Sequence, residues 1–179
     1  MKSLQEVYEK YSDWTGGDKG TNHSYIDVYE KEMTDTKNIS LLEIGVQFGH
    51  SIKMWQEYFD NSWIGGIDVT LQYLAFEELS NVYLCDGTDK KQVDKTLKNR
   101  KFNYIIDDAS HTLEDQIASF DIFYPKLKEG GKYFIEDIAK DHNLRKIKLY
   151  LSSQNIDYKV YDLRYIKNRF DDIMIVATK

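Results

Sequence analysis

Leu41-Leu42-Glu43-Ile44-Gly45-Val46-Gln47-Phe48-Gly49 is the stretch whose reading decides the fold. An apolar run beginning at Ile39 and broken only by Ser40 and Glu43 ends at Ile44, and a glycine turn and a helical pattern follow. Such a run reads as a strand covered on both faces of a parallel sheet. Gly45 and Gly49 let the backbone turn sharply and let a ligand lie against it. Glu43 is the odd residue, a carboxylate at the end of an otherwise apolar strand. Open parallel sheets bind ligands at the carboxyl ends of their strands, so a small molecule is expected here.

The turn also narrows what that molecule is. A dinucleotide turn needs a Gly-x-Gly pair so that the backbone can approach a pyrophosphate, and none is present. A P-loop needs four residues between its glycines and then Lys with Ser or Thr. Here Val46, Gln47 and Phe48 separate the glycines, and His50-Ser51 follows. A nucleoside without phosphates, held by an acidic strand end, fits what is left. The alternative is an ordinary strand-to-helix turn of some other α/β protein.

Working outward, the 179 residues suit one domain with a full core. The formal net charge of −6 argues against nucleic acid as the main partner, which would favour a basic face. No apolar run is long enough to span a bilayer, so no membrane partner is expected. Met1–Glu6 lacks the apolar core of a signal peptide. Cys85, the single cysteine, has no internal partner, and a reducing cytoplasm fits. It reads as a buried strand thiol.

Strand and helix patterns alternate along the chain. A short helix over residues 3–11 precedes a polar loop from Asp13 to His23 that contains Trp14, Thr15 and Gly16. Asn22 or Ser24 is positioned to cap a helix over 25–33. Loops of this composition often cover a site, and residues 1–36 read as a helical and loop lid. Helices are expected over 51–59, 71–79, 90–99, 113–127 and 141–153. Strands are expected over 63–69, 81–87, 102–107 and 132–138, with Glu129-Gly130-Gly131 as the turn before the last of these. Residues 158–163 and 173–178 are β-rich, and the link between them is too short for a crossover helix, so they should pair antiparallel. The alternation argues for a doubly wound, mostly parallel α/β Rossmann-like sheet with a C-terminal antiparallel hairpin.

Successive strands end in acids: Glu43, Asp68, Asp86, Asp107-Asp108 and Glu136-Asp137. Asp68 falls about twenty residues after the glycine turn, where a ribose-binding carboxylate is expected. Its two oxygens can take both ribose hydroxyls. Asp86, or the backbone beside it, is placed to meet an adenine amino group. Carboxylates gathered at one sheet edge repel one another, and a cation relieves this. Hard oxygen ligands suit Mg²⁺, and Asp108 with Glu136 and Asp137 could hold it. Neighbours on a regular strand point to opposite faces, so Glu136 and Asp137 can share an ion only if the strand has already broken. The competing reading has these acids capping helices or pairing with Lys. His111 lies just after Asp107-Asp108, and an imidazole there can take a proton from a hydroxyl.

Asp107-Asp108-Ala109-Ser110-His111, then Gln116 and Phe120, then 127–137 resemble the metal-dependent sugar O-methyltransferases of macrolide biosynthesis, a branch of the class I S-adenosylmethionine-dependent methyltransferases. So do Asp18-Lys19-Gly20-Thr21 with His23, Tyr25 and Tyr29, and 42–46 with Gly49-His50-Ser51 and Trp55. The resemblance covers roughly residues 13–138. It implies S-adenosyl-L-methionine and Mg²⁺ as cofactors, Asp108, Glu136 and Asp137 as metal ligands, and His111 as general base. It implies donor contacts from Glu43, Asp68 and Asp86, and places Gly45, Gly49, Ser51, Gly87, Asp107, Lys19 and Tyr25 around the donor. The expected acceptor is a small-molecule sugar or diol, and a homo-oligomer is left open. Two other readings stand beside it. One is a noncatalytic nucleoside- or S-adenosylmethionine-binding module; the other is a metal-dependent hydroxylase or hydrolase on the same sheet.

Overall fold

The computed structural model describes residues 2–12, 17–76 and 78–179. Asp13 to Gly16, part of the polar loop, lie outside the described residues, as does Glu77. The elements are α1 (Leu4–Tyr8), α2 (Ile26–Glu32), β1 (Ser40–Ile44), α3 (His50–Tyr58), β2 (Trp63–Asp68), β3 (Val82–Leu84), α4 (Lys90–Leu97), β4 (Phe102–Asp107), α5 (Leu113–Phe123), β5 (Leu127–Ile135), α6 (Asp141–Ser153), β6 (Asp157–Asp162), α7 (Arg164–Lys167) and β7 (Ile173–Thr178). The strands form a seven-stranded sheet in the order β3-β2-β1-β4-β5-β7-β6. β1 to β5 run parallel, while β7 lies antiparallel between β5 and β6. The expected doubly wound sheet with an antiparallel tail is therefore what forms.

β1 sits at the centre, paired with β2 and β4, and its residues alternate between two core layers. Leu41 packs with Tyr29, Trp55 and Phe134 beneath α1, α2 and α3. Leu42 and Ile44 pack with Phe102, Phe120 and Tyr133 beneath α4, α5 and α6. This alternation decides where each acid at the strand ends can point.

Three local expectations are corrected. Residues 71–79 form turns rather than a helix among those described. The Ala75 N–H donates to the Phe48 carbonyl, outside any helical ladder, and so ties this segment to the glycine turn. Neither Asn22 nor Ser24 caps α2. Tyr25 holds the cap position without a side-chain bond, and the Ser24 N–H donates to Asp172 instead. Glu129-Gly130-Gly131 is not a separate turn. β5 begins at Leu127 and runs through it, with a register shift against β4 and a positive φ of 72° at Gly130.

Glu32 anchors the end of α2 to the sheet. It accepts hydrogen bonds from Lys132 (2.6 Å), Lys159 (2.9 Å) and Tyr161 (2.5 Å). Burial alone would raise its carboxyl, but these donors outweigh it and hold the group at about 2. A folded-state value below the unfolded one stabilises the fold at neutral pH, and that contribution is lost as pH falls through the folded value. Glu32→Gln should therefore cost about 1–3 kcal/mol near neutrality. The gap to the parent should close as pH falls towards about 2. Urea denaturation at several pH values measures both; a gap that does not change with pH would refute the account.

Candidate functional site

The carboxyl ends of β1, β2 and β4 frame a cavity of about 680 Å³, lined by Gly45, Ser51, Asp68, Asp86, Gly87, Asp108 and His111 among others. Gly45 has φ of +86°, and a Cβ there would lie 2.2 Å from the Asp108 carbonyl oxygen. Only glycine lets the β1 turn pass so close to the β4 loop. Asp68 holds this turn in shape. Its Oδ2 accepts from the N–H groups of Val46 (2.8 Å) and Gln47 (3.0 Å), and its Oδ1 accepts from Thr70 N (3.0 Å). That leaves room for one further hydroxyl on Oδ1, not the two expected for a ribose. The Asp86 Oδ1 is occupied by the Thr88 N–H and hydroxyl. Gly87 lies on the floor, where a Cβ would press on Ile44.

Several residues expected around a donor do not line this cavity. Gly49 starts α3 in the left-handed region with Leu79 against it. Asp107 points into the opposite core layer, where it accepts from the Tyr133 hydroxyl at 2.9 Å. Burial pushes its carboxyl up to about 7 against that hydrogen bond. Glu43 is fully buried, accepting from Ser51 Oγ at 2.6 Å and lying 3.1 Å from Lys19 Nζ. Tyr25 donates its hydroxyl to Asp137 Oδ1 at 2.7 Å.

The acids do gather. Glu43 shares the Leu41 face of β1, and Glu136 falls on the Phe134 face of the chain leaving β5, so both enter the layer beneath α2. β5 ends at Ile135, and Asp137 adopts a left-handed φ of 55°. The strand has thus broken before the Glu136-Asp137 pair, and Asp137 swings back to Tyr25 on the same side. His111 also has a positive φ, of 56°. Non-glycine residues rarely take this conformation, and it often marks functional sites.

Lys19 stands in the middle of the cup. Its Nζ lies 2.6 Å from Asp108 Oδ2, 2.8 Å from Glu136 Oε1 and 3.1 Å from Glu43 Oε1, and the residue is 3% exposed. Burial alone would lower the amine, but the charges of Asp108 and Glu136 hold it well above the usual lysine range. The Tyr29 hydroxyl also donates to Glu136. Burial, then the Asp108 charge, raise the carboxyls of Glu136 and Asp137, the latter to about 7. The competing reading of these acids, pairing with Lys, is therefore what Asp108, Glu136 and Glu43 show here; which lysine would reach them was not readable from the sequence.

The ammonium shows that the gap between Asp108 and Glu136 takes a positive charge, and their oxygens are the hard donors a divalent ion prefers. The ligand set expected there, Asp108 with Glu136 and Asp137, is not drawn to within 4.8 Å while Lys19 holds the gap. On the open side, Asp108, His111 and Asp137 each turn a ligand atom to within 4.8 Å of one another. His111 Nε2 is 3.9 Å from Asp108 Oδ1 and 3.7 Å from Asp137 Oδ2.

Sequence reasoning missed Asp171 and Asp172. The buried His23 Nδ1 lies 3.3 Å from Asp137 Oδ1 and 3.6 Å from Asp172 Oδ1. The signal was available: an antiparallel strand begins at the rim where its parallel neighbours end, so residues just before β7 belong there.

This sheet order, with an antiparallel strand inserted beside β5 and a glycine turn after β1, is the class I methyltransferase fold. No family model matches the chain. It is 27% identical over 137 residues to the 8-demethyl-8-alpha-L-rhamnosyl tetracenomycin-C 2'-O-methyltransferase of Streptomyces olivaceus, covering 71% of this chain and 36% of that protein. It is 28% identical over 129 residues to demethylmacrocin O-methyltransferase of Streptomyces fradiae, covering 66% and 33%. Mycinamicin VI 2''-O-methyltransferase of Micromonospora griseorubida is 29% identical over 129 residues, covering 66% and 32%. The MycE methyltransferase of the mycinamycin biosynthetic pathway, solved with Mg and SAH, matches with a TM-score of 0.76 at 22% identity, over 99% of this chain and 55% of that one. The chain is a distant relative of the macrolide-sugar O-methyltransferases, and the match spans about a third of the length of these curated relatives. Among the described residues, no helix is long and apolar enough to cross a membrane.

Proposed function

We propose that this chain is an S-adenosylmethionine-dependent, Mg²⁺-dependent O-methyltransferase acting on a hydroxyl of a sugar or sugar-like diol in the cytoplasm. One observation carries the reading: a single cavity is lined both by the glycine turn with Asp68 and Asp86 and by Asp108, His111 and Asp137. A donor nucleoside on the first group would point its sulfonium methyl at an acceptor held by the second. Mg²⁺, when bound by Asp108, Glu136 and Asp137, would lower the pKa of an acceptor hydroxyl.

The remaining steps belong to the chain's own residues. Asp68 orients the ribose through its free lone pair. Val69 and Tyr73, both exposed beside Asp68, offer apolar surface to the adenine. His111 Nε2 faces the acceptor position and takes the hydroxyl proton as the oxygen attacks the methyl carbon. The carbon–sulfur bond breaks and the thioether leaves. General-base help of this kind is typically worth ~10²–10⁴ in rate. His111→Ala should therefore cut turnover by about that factor while S-adenosylhomocysteine affinity stays within about twofold.

The primary test is transfer of labelled methyl from S-adenosylmethionine to a panel of glycosides, with and without EDTA. Calorimetric titration with S-adenosylhomocysteine accompanies it. A protein that binds the nucleoside but methylates no sugar or diol is a binding module. One that binds no nucleoside ends the reading altogether.

A further inference from the structure

Lys19 raises a question that the proposed function does not answer. A divalent ion bridging Asp108 and Glu136 would need the place its ammonium holds. Two ordinary outcomes are open to a lysine near a metal site: it lies outside the ligand shell, or it competes with the ion. The distances decide for competition. The Nζ is within hydrogen-bond reach of both carboxylates, at 2.6 and 2.8 Å, and also faces Glu43. An ion at that point would press its charge directly against the ammonium.

We propose that Lys19 is the resident cation of this cup, and that a divalent ion enters only by expelling it. This rests on the reading of Asp108, Glu136 and Asp137 as metal ligands. The exchange is favourable in principle because the cup is over-acidic for one ammonium. Glu43, Asp108 and Glu136 surround it, and an ion of twice the charge gains more from them than a lysine does. The opposing cost is local. Lys19 is fixed by its neighbours: its carbonyl accepts from Tyr25 N–H at 2.9 Å, and the Asp18 carbonyl before it accepts from His23 N–H, also at 2.9 Å. Tyr8 donates to the Gly17 carbonyl at 2.6 Å. Expulsion therefore reaches the segment from Gly17 to His23, which forms one wall of the donor cavity through Gly17, Asp18 and Lys19. Ion loading and the shape of that wall become linked, and an ion that differs in its affinity for the two states shifts their balance.

The experiment uses the whole chain and Mn²⁺ as probe. Mn²⁺ binding is followed by loss of the free-ion electron paramagnetic resonance signal. Lysine reactivity is followed by amine acetylation read peptide by peptide, with the 58%-exposed Lys37 side chain as internal reference. Lys19 should resist acetylation without the ion and approach the reactivity of Lys37 when Mn²⁺ saturates. Lys19→Met should bind Mn²⁺ about tenfold or more tightly than the parent, because a competing charge is gone. Binding by the variant alone, with none to the parent, also supports the proposal. Saturation of the parent with Lys19 still protected would overturn it, since the ion would then sit at Asp108, His111 and Asp137 without displacing the lysine. Failure of both proteins to bind Mn²⁺ would overturn it too. If the variant does not fold, the acetylation of the parent still decides. S-adenosylhomocysteine titration separates the failures: ion binding with Lys19 still protected loses only the present inference, whereas nucleoside binding without ion binding also loses the Mg²⁺ dependence and leaves S-adenosylmethionine-dependent transfer standing.

Discussion

Asp68→Ala should destabilise the protein by about 2–3 kcal/mol and weaken S-adenosylhomocysteine binding by about tenfold to a hundredfold. Three backbone N–H groups, from Val46, Gln47 and Thr70, depend on this one carboxylate. Hydrogen bonds to an ionised acceptor are the stronger kind, and alanine leaves all three donors to whatever water can reach them. The Gln47 backbone, at a positive φ of 48°, has little else to keep it there. Loss of the carboxylate therefore strikes twice. The glycine turn loosens, and the free lone pair for a ribose hydroxyl disappears. Asp68→Asn separates the two effects. An amide oxygen can still accept from Val46 and Gln47, but its NH₂ would face the Thr70 N–H, donor against donor. Its stability loss should be smaller than that of the alanine variant, with a comparable loss of nucleoside affinity. Urea denaturation and calorimetry measure the two quantities. Affinity within a few-fold of the parent in both variants would mean that the nucleoside does not sit beside Asp68.

The difference between legible and illegible parts of the molecule has a physical basis. β1, β2 and β4 were readable because a buried parallel strand is a predominantly apolar run and needs no partner to declare itself. The acids at their ends were readable for the same reason, as carboxylates where only apolar residues belong. What each acid faces was not readable, because it depends on a period of two counted from the strand's exact end. Asp107 illustrates this. It has a neighbour's sequence context and the opposite core layer, so it meets Tyr133 rather than the cup. Asp137 illustrates the reverse. A strict alternation would have sent it away, and only a left-handed residue returns it. The helix expected over 71–79 failed on a tertiary contact, the Phe48 carbonyl, which local propensity cannot register. Lys19 lies 89 residues from Asp108 and 117 from Glu136, so its part in the cup could not be seen in one dimension.

That long-range contact carries the second large effect. Lys19→Met should cost about 3–5 kcal/mol at alkaline pH, the usual penalty for removing one partner from a buried ion pair. Glu43 and Glu136 are 0% and 2% exposed, and without the ammonium their charges have no counterpart within the described residues beyond neutral donors. The penalty has a defined pH dependence. Burial already raises both carboxyls in the parent, with Lys19 opposing the rise. Removing Lys19 removes that opposition, so their folded values climb further above the unfolded ones. A group of this kind favours the folded state below its unfolded value, and that advantage is lost as pH rises through the folded value. The variant should thus lose least on the acid side, where these raised carboxyls are protonated, and most on the alkaline side, so that its loss at about pH 8 exceeds its loss at about pH 5. Proton uptake also explains why the variant should survive at all, since a neutral carboxyl can still hydrogen-bond to Tyr29 or Ser51. Denaturation curves at the two pH values give the comparison. A penalty of under about 1 kcal/mol at both would be the size expected of an exposed ion pair, and Lys19 would then be solvated rather than seated among the acids.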